Sequence, residues 1–115
     1  MRTDDPKLTG NVTDHLDPGE SIVHVVAGRY VTHVRRPRAY LVATERRLIF
    51  VGIKFAGQHV MSFYYGQVDA FGHSKGVLGA SLAVSAGNAS CKVDRIKDPD
   101  LAGLEQFVRG QMRTA

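Results

Sequence analysis

The sequence predicts a mainly β fold closed by one C-terminal α-helix, with about seven short strands in a strongly bent sheet or small barrel. Three observations carry that expectation. Residues 39–51, AYLVATERRLIFV, place two apolar runs around the polar break Thr44-Glu45-Arg46-Arg47, a spacing too short for two helices and suited to a β-hairpin. Further short apolar runs follow at close intervals, punctuated by glycine and asparagine. Residues 98–112 carry the clearest helical periodicity in the chain.

In order, residues 1–16 form an N-terminal segment in which Leu8, Val12 and Leu16 share one face of a short helix. Asp17-Pro18-Gly19-Glu20 is a turn, and residues 21–30 form the first strand, with a bulge or bend expected at Gly28. Residues 31–38 are a loop or a frayed edge, because Pro37 cannot donate to a central ladder. In the hairpin, Thr44 bonds the turn backbone through its hydroxyl, Glu45 and Arg46 are solvated, and Arg47 is expected to point outward. Leu48-Ile49-Phe50-Val51 shows no polar alternation, so both faces of that strand are expected to be covered.

Residues 54–58 turn the chain into a fourth strand, 59–65, with Met61, Phe63 and Tyr65 on one face. A fifth strand covers 68–74, a loop 75–79, and a sixth strand 80–86 with Leu82 and Val84 facing one way. Gly87-Asn88 signals a tight hairpin into a seventh strand, 89–96, with Cys91 and Val93 inward. Asp98 is a helix N-cap, Pro99 suits the first helical position, and Asp100 suits the positive end of the dipole. Leu101, Leu104, Phe107, Val108 and Met112 then form one apolar face, with Gly103 and Gly110 as weak points.

The order and spacing of these segments resemble a bacterial pleckstrin-homology-like (PH-like) domain of the YokE-like group. The likeness is carried by Asp17-Pro18-Gly19-Glu20, Gly28-Arg29-Tyr30, the hairpin LVATERRLIFV from Leu41 to Val51, Phe63-Tyr64-Tyr65-Gly66-Gln67-Val68, Asp69 to Gly76, and the helix from Asp98 to Met112. It covers roughly residues 16–112 and implies a PH-like domain over 17–113: a split barrel of two near-orthogonal antiparallel sheets capped by one helix. Pro37 and the arginines around it depart from the family pattern, as does Gly66-Gln67.

PH domains in general bind phosphorylated headgroups with basic residues near the end of strand one and the start of strand two. The resemblance therefore marks Arg29, Arg35, Arg36 and Arg38 as candidate anion or lipid-headgroup ligands, and guanidinium forks match phosphate oxygens. The plain alternative is a solvated loop, or an internal salt bridge to Asp94 or Asp69.

The 115 residues make one domain large enough for its own core, with a net charge of +4 from 15 Lys+Arg against 11 Asp+Glu, a mild bias towards anionic partners. The lone Cys91 excludes an internal disulfide and reads as a small core residue. No apolar run has signal-peptide or membrane-spanning length, so the expected location is cytoplasmic, with attachment at the inner face of the membrane as an option.

The five histidines make no metal-ligand spacing, and His24 reads as a satisfied strand residue; no metal and no cofactor are expected. Ser81, Ser85 and Ser90 sit in strand patterns without a nucleophile elbow, and no phosphate-cradling loop is present, so no enzyme activity is expected. The leading reading is a binding or scaffolding module that takes a protein or peptide, or self-associates, along a sheet edge or beside the helix. The alternative is peripheral binding to anionic membrane through the arginine-rich loop. Nucleic-acid binding, with Tyr30 and Tyr40 stacking bases, stands third.

Overall fold

The computed structural model describes residues 15–32, 36–54 and 57–114. The expected helix through Leu8 and Val12 lies outside these residues, as do His33 and Arg35. Seven strands are present: β1 (Ile22–Arg29), β2 (Arg38–Thr44), β3 (Arg47–Ile53), β4 (Gln58–Tyr64), β5 (Ala70–Gly76), β6 (Gly79–Ala86) and β7 (Ala89–Ile96). A 3₁₀ turn, Tyr65–Gln67, joins β4 to β5, and α1 (Leu101–Thr114) follows β7.

All seven strands are antiparallel, in the order β4-β3-β2-β1-β7-β6-β5. The two halves meet through one ladder position, Arg29 opposite Asp94, so the sheet can fold over there. Gly28 sits at that fold. It makes no bulge; the register shift in β1 falls at Ile22–His24 instead. A Cβ at Gly28 would lie 2.5 Å from the Asp94 carbonyl oxygen and 2.6 Å from Val93 Cγ1, so glycine is required by the close approach of β7.

The interior between the halves is filled by Val26, Leu41, Leu48, Phe50 and Phe63 from one side and Leu82, Val84 and Val93 from the other. α1 closes one end by burying Leu104 and Val108, while Phe107 meets Tyr65 edge-on with centroids 6.3 Å apart. A second cluster, Val25, Tyr40, Val42, Ile49 and Val51, lies on the opposite face, where Leu16 and Val60 pack against it. β2 and β3 are thus covered on both faces, which is why neither run alternates with polar residues.

Asp98 caps the turn that leads into α1: its Oδ1 accepts from the Asp100 amide at 3.0 Å and its carbonyl from the Leu101 amide at 3.2 Å, so the helix itself opens two residues later than Pro99 suggests. Gly103 is a contact rather than a weak point, because a Cβ there would meet His24 Cε1 at 2.9 Å. His24 in turn lies 3.2 Å from Asp100 and packs on Phe107, tying β1 to the start of the helix. On the far side Arg109 lies over the Phe71 ring, and Glu105 reaches His73 at 3.0 Å, which holds β5 to the helix.

Arg47 corrects the outward placement expected for it. It is buried and forms a two-pronged pair with Glu20, Nε to Oε2 at 3.0 Å and Nη2 to Oε1 at 2.9 Å. It also donates to Ser62 Oγ and to the His15 carbonyl. Thr44 behaves as expected, its hydroxyl accepting from the Arg46 and Arg47 amides at 3.1 Å, and it also donates to Glu20 at 2.6 Å. The Arg47 guanidinium is the main reason the Glu20 carboxyl is held down to about 2. The Tyr65 hydroxyl completes the cluster between the Thr44 and Arg47 carbonyls, and burial pushes that phenol up.

Candidate functional site

The arginine cluster expected from the sequence is divided by the fold. Arg36 donates to Asp94 Oδ2 at 2.6 Å, the internal salt bridge that was the plain alternative for this loop. Asp94 Oδ1 is buried with no hydrogen-bond partner among the described residues, so this carboxylate is committed to Arg36 alone. Arg29 and Arg38, by contrast, stand opposite each other where β1 leaves and β2 begins.

These two arginines line a concavity of about 410 Å³, together with Arg95, Lys97, Leu78 and Asp98. Among the described residues, none of the four cations takes part in an ion pair. Four positive groups therefore face one carboxylate, and Asp98 already accepts from the helix backbone. Unpaired cations around a concave surface focus positive potential and favour an anionic ligand.

Arg95 reaches this site through a backbone distortion. The β6–β7 register jumps between Ala80 opposite Ile96 and Leu82 opposite Val93, setting Asp94 and Arg95 against the single Ser81, one extra residue in β7. Arg95 has φ of +54°, the left-handed region that disfavours a side chain. Gly79 opposite has φ of +121°, and a Cβ there would press within 3.0 Å of the Ile96 carbonyl oxygen. Strain of this kind is held where surrounding packing fixes it, and here it sets a cation beside Arg29.

A second recess, about 830 Å³, opens between the sheet halves where β4 and β5 leave their outer edges unpaired. Its apolar floor is Phe50, Met61, Val84 and Cys91, and Tyr30 stands at its rim, donating its hydroxyl to the Ile53 carbonyl at 3.1 Å. Cys91 is half-buried rather than a full core residue, and burial pushes its thiol up to about 12. Tyr40, one of the two rings considered for base stacking, is 1 % exposed and offers no face to a ligand.

Sequence reasoning missed Arg95, Lys97 and Leu78. The available signal was Val77-Leu78, two apolar residues in a turn where small polar ones are usual. Among the described residues, no three His, Cys, Asp or Glu side chains converge as metal ligands would, and no helix is long and apolar enough to cross a membrane.

Comparison with known folds agrees with the architecture. The C-terminal domain of an unknown protein from Leishmania infantum superimposes with a TM-score of 0.66 at 15% identity, over 93% of this chain and 95% of that one. A DUF1696-family protein with a pleckstrin-homology domain from Shewanella loihica gives 0.65 at 16% identity, over 97% and 94%. A pleckstrin homology domain from Shewanella amazonensis gives 0.62 at 18%, over 96% and 99%. No functionally curated protein matches the chain in sequence. The family model for the bacterial PH domain matches residues 16–110, and the chain belongs to that family.

Proposed function

We propose that this domain is a non-catalytic binding module whose principal ligand is a phosphate-bearing anion, held by Arg29, Arg38, Arg95 and Lys97. The observation that carries the reading is that four cations line one concavity and none forms an ion pair among the described residues. Guanidinium groups bind phosphate oxygens through paired N–H donors, and two arginines facing across a ladder offer two such forks. Arg36 contributes long-range charge only, because Asp94 holds it. Cytoplasmic placement at the inner membrane face is part of this proposal. So is the finer placement in the YokE-like group, supported by the hairpin from Leu41 to Val51 and by residues 63–68.

Titration of the ¹⁵N-labelled protein with inositol hexakisphosphate tests the reading. The expected result is saturable shifts centred on Arg29, Arg38, Arg95 and Lys97 that weaken with salt. Shifts scattered over the surface, or centred on Arg36, would contradict it.

A second reading is favoured by the open recess: an extended peptide that adds to the free edge of β4 or β5 and places apolar side chains over Phe50, Met61 and Val84. Selection from a random peptide display library, repeated on Met61→Glu, tests it. Peptides that bind the wild type and lose binding in the variant support the recess; peptides indifferent to the change contradict it.

A further inference from the structure

We infer that the β5–β6 turn, Val77-Leu78, inserts into an anionic lipid bilayer while the cations beside it hold the headgroups. This rests on the anion-site reading above and names the form in which the anion is presented. The first observation is exposure. Val77 is fully open to solvent at 102 % and Leu78 is 58 % exposed, adjacent residues at a hairpin tip. A two-residue turn between Gly76 and Gly79 has no packing reason to be apolar, and the residues usual there are Asn, Asp, Gly and Ser.

The second observation is where the tip stands. Leu78 and Arg95 both border the concavity of Arg29, Arg38 and Lys97, and both also border a second concavity on the other side that holds Lys75 and Lys92. The two concavities that Leu78 borders thus hold six cations that form no ion pair among the described residues, beside Asp98 and the Arg36–Asp94 pair. From Gly72 to Gly76 every β5 residue is exposed, so the end of the hairpin is open to solvent.

Charge complementarity selects the occupant. A second copy of the chain would bring two rings of positive charge together. A soluble phosphate would satisfy the cations and leave Val77 and Leu78 in water. An anionic bilayer accepts both, with the apolar pair below the headgroups and the cations among them.

The chain contains no tryptophan, so Val77→Trp introduces a single emitter at the tip. Its fluorescence is followed with phosphatidylserine/phosphatidylcholine vesicles, pure phosphatidylcholine vesicles, vesicles carrying brominated acyl chains, and inositol hexakisphosphate. The expected result is a blue shift and bromine quenching on anionic vesicles only, with neither on inositol hexakisphosphate. In parallel, Val77→Ser, outside the lining of the anion concavity, lowers anionic-vesicle affinity by about fivefold or more, the effect of removing one buried aliphatic side chain, and leaves affinity for inositol hexakisphosphate unchanged. Vesicle binding without blue shift or quenching, or an unaffected serine variant, overturns insertion and leaves the anion site standing. Binding of inositol hexakisphosphate without vesicle binding also overturns insertion and points to a soluble phosphate or an acidic protein. Failure to bind either probe overturns both readings.

Discussion

Arg29 and Arg38 face each other across the β1–β2 ladder, two like charges where a sheet usually sets opposite ones. Directly opposed like charges destabilise a strand pair, by roughly 0.2–1 kcal/mol. Here the repulsion lies at the mouth of a concavity that also holds Arg95 and Lys97. A bound anion removes it, so the free protein carries a small stability penalty that ligand relieves.

That relationship sets the first expectation. Arg38→Glu converts the repulsion to attraction and raises the free protein's stability by up to about 1 kcal/mol. Inositol hexakisphosphate raises the melting temperature of the wild type but not of the variant. Thermal melts with and without the polyanion check both signs at once.

Arg95 gives a prediction in which stability and binding move apart. Relief of its left-handed backbone by Arg95→Gly leaves stability unchanged or raises it by up to about 1 kcal/mol. Polyanion affinity falls, because one of the four cations is gone. A destabilised variant in urea melts would show that the Arg95 side chain packs rather than waits for ligand.

The buried Glu20–Arg47 pair predicts the acid behaviour of the fold. The carboxyl lies at about 2 in the folded protein against an ordinary value of 4.5, chiefly because of the Arg47 hydrogen bonds. A depressed carboxyl stabilises fully above its unfolded value, and that contribution is lost as pH falls from about 4.5 towards 2. It amounts to roughly 2–3 kcal/mol. Urea melts between pH 6 and pH 2.5 show this loss in the wild type and a flatter profile in Glu20→Gln, which is destabilised at neutral pH because Arg47 loses its two-pronged carboxylate.

Gly28 tests the corner that sets the site. A methyl group there collides with the β7 backbone, so Gly28→Ala destabilises by about 2 kcal/mol or more and weakens anion binding by parting Arg29 from Arg95. Denaturant melts and polyanion titration of the same variant follow the two effects.

Most of the fold is legible in the sequence because its signals are local. The runs around Thr44-Glu45-Arg46-Arg47 lack polar alternation, and β2 and β3 are indeed covered on both faces. The Asp98-Pro99 start and the face of Leu104 and Val108 place α1 closely. What was not legible depends on partners far apart in the chain. Arg47 looks like a solvated hairpin residue until Glu20, 27 positions away, is brought beneath it. Gly28 reads as a bulge or bend, and it does sit where the sheet folds over, but nothing in its neighbours reveals that β7 passes within contact. β5 starts two residues later than expected because residues 65–67 wind into a 3₁₀ turn.

The site was legible only in part for the same reason. Arg29 and Arg38 are visible as basic residues flanking a loop, and so is Arg36, but composition cannot tell which of them an aspartate will take. Asp94 was named as a possible partner, and it does hold Arg36. Arg95 looks like an ordinary exposed residue of an alternating strand. Only the one extra β7 residue opposite Ser81 brings it to Arg29, and a bulge of that kind leaves no periodic trace.

The most direct measurement is co-sedimentation with phosphatidylserine-containing vesicles at low and physiological salt for three proteins: the wild type, Arg29→Ala with Arg38→Ala, and Arg36→Ala. At about 1 kcal/mol for each cation near an anionic surface, the double variant loses affinity by about 30-fold, and the wild type weakens steeply with salt. Arg36→Ala removes one charge of a bound pair and loses no more than about fivefold. Equal losses in the two variants, or wild-type binding to neutral vesicles alone, would contradict the assignment of the site to Arg29, Arg38, Arg95 and Lys97.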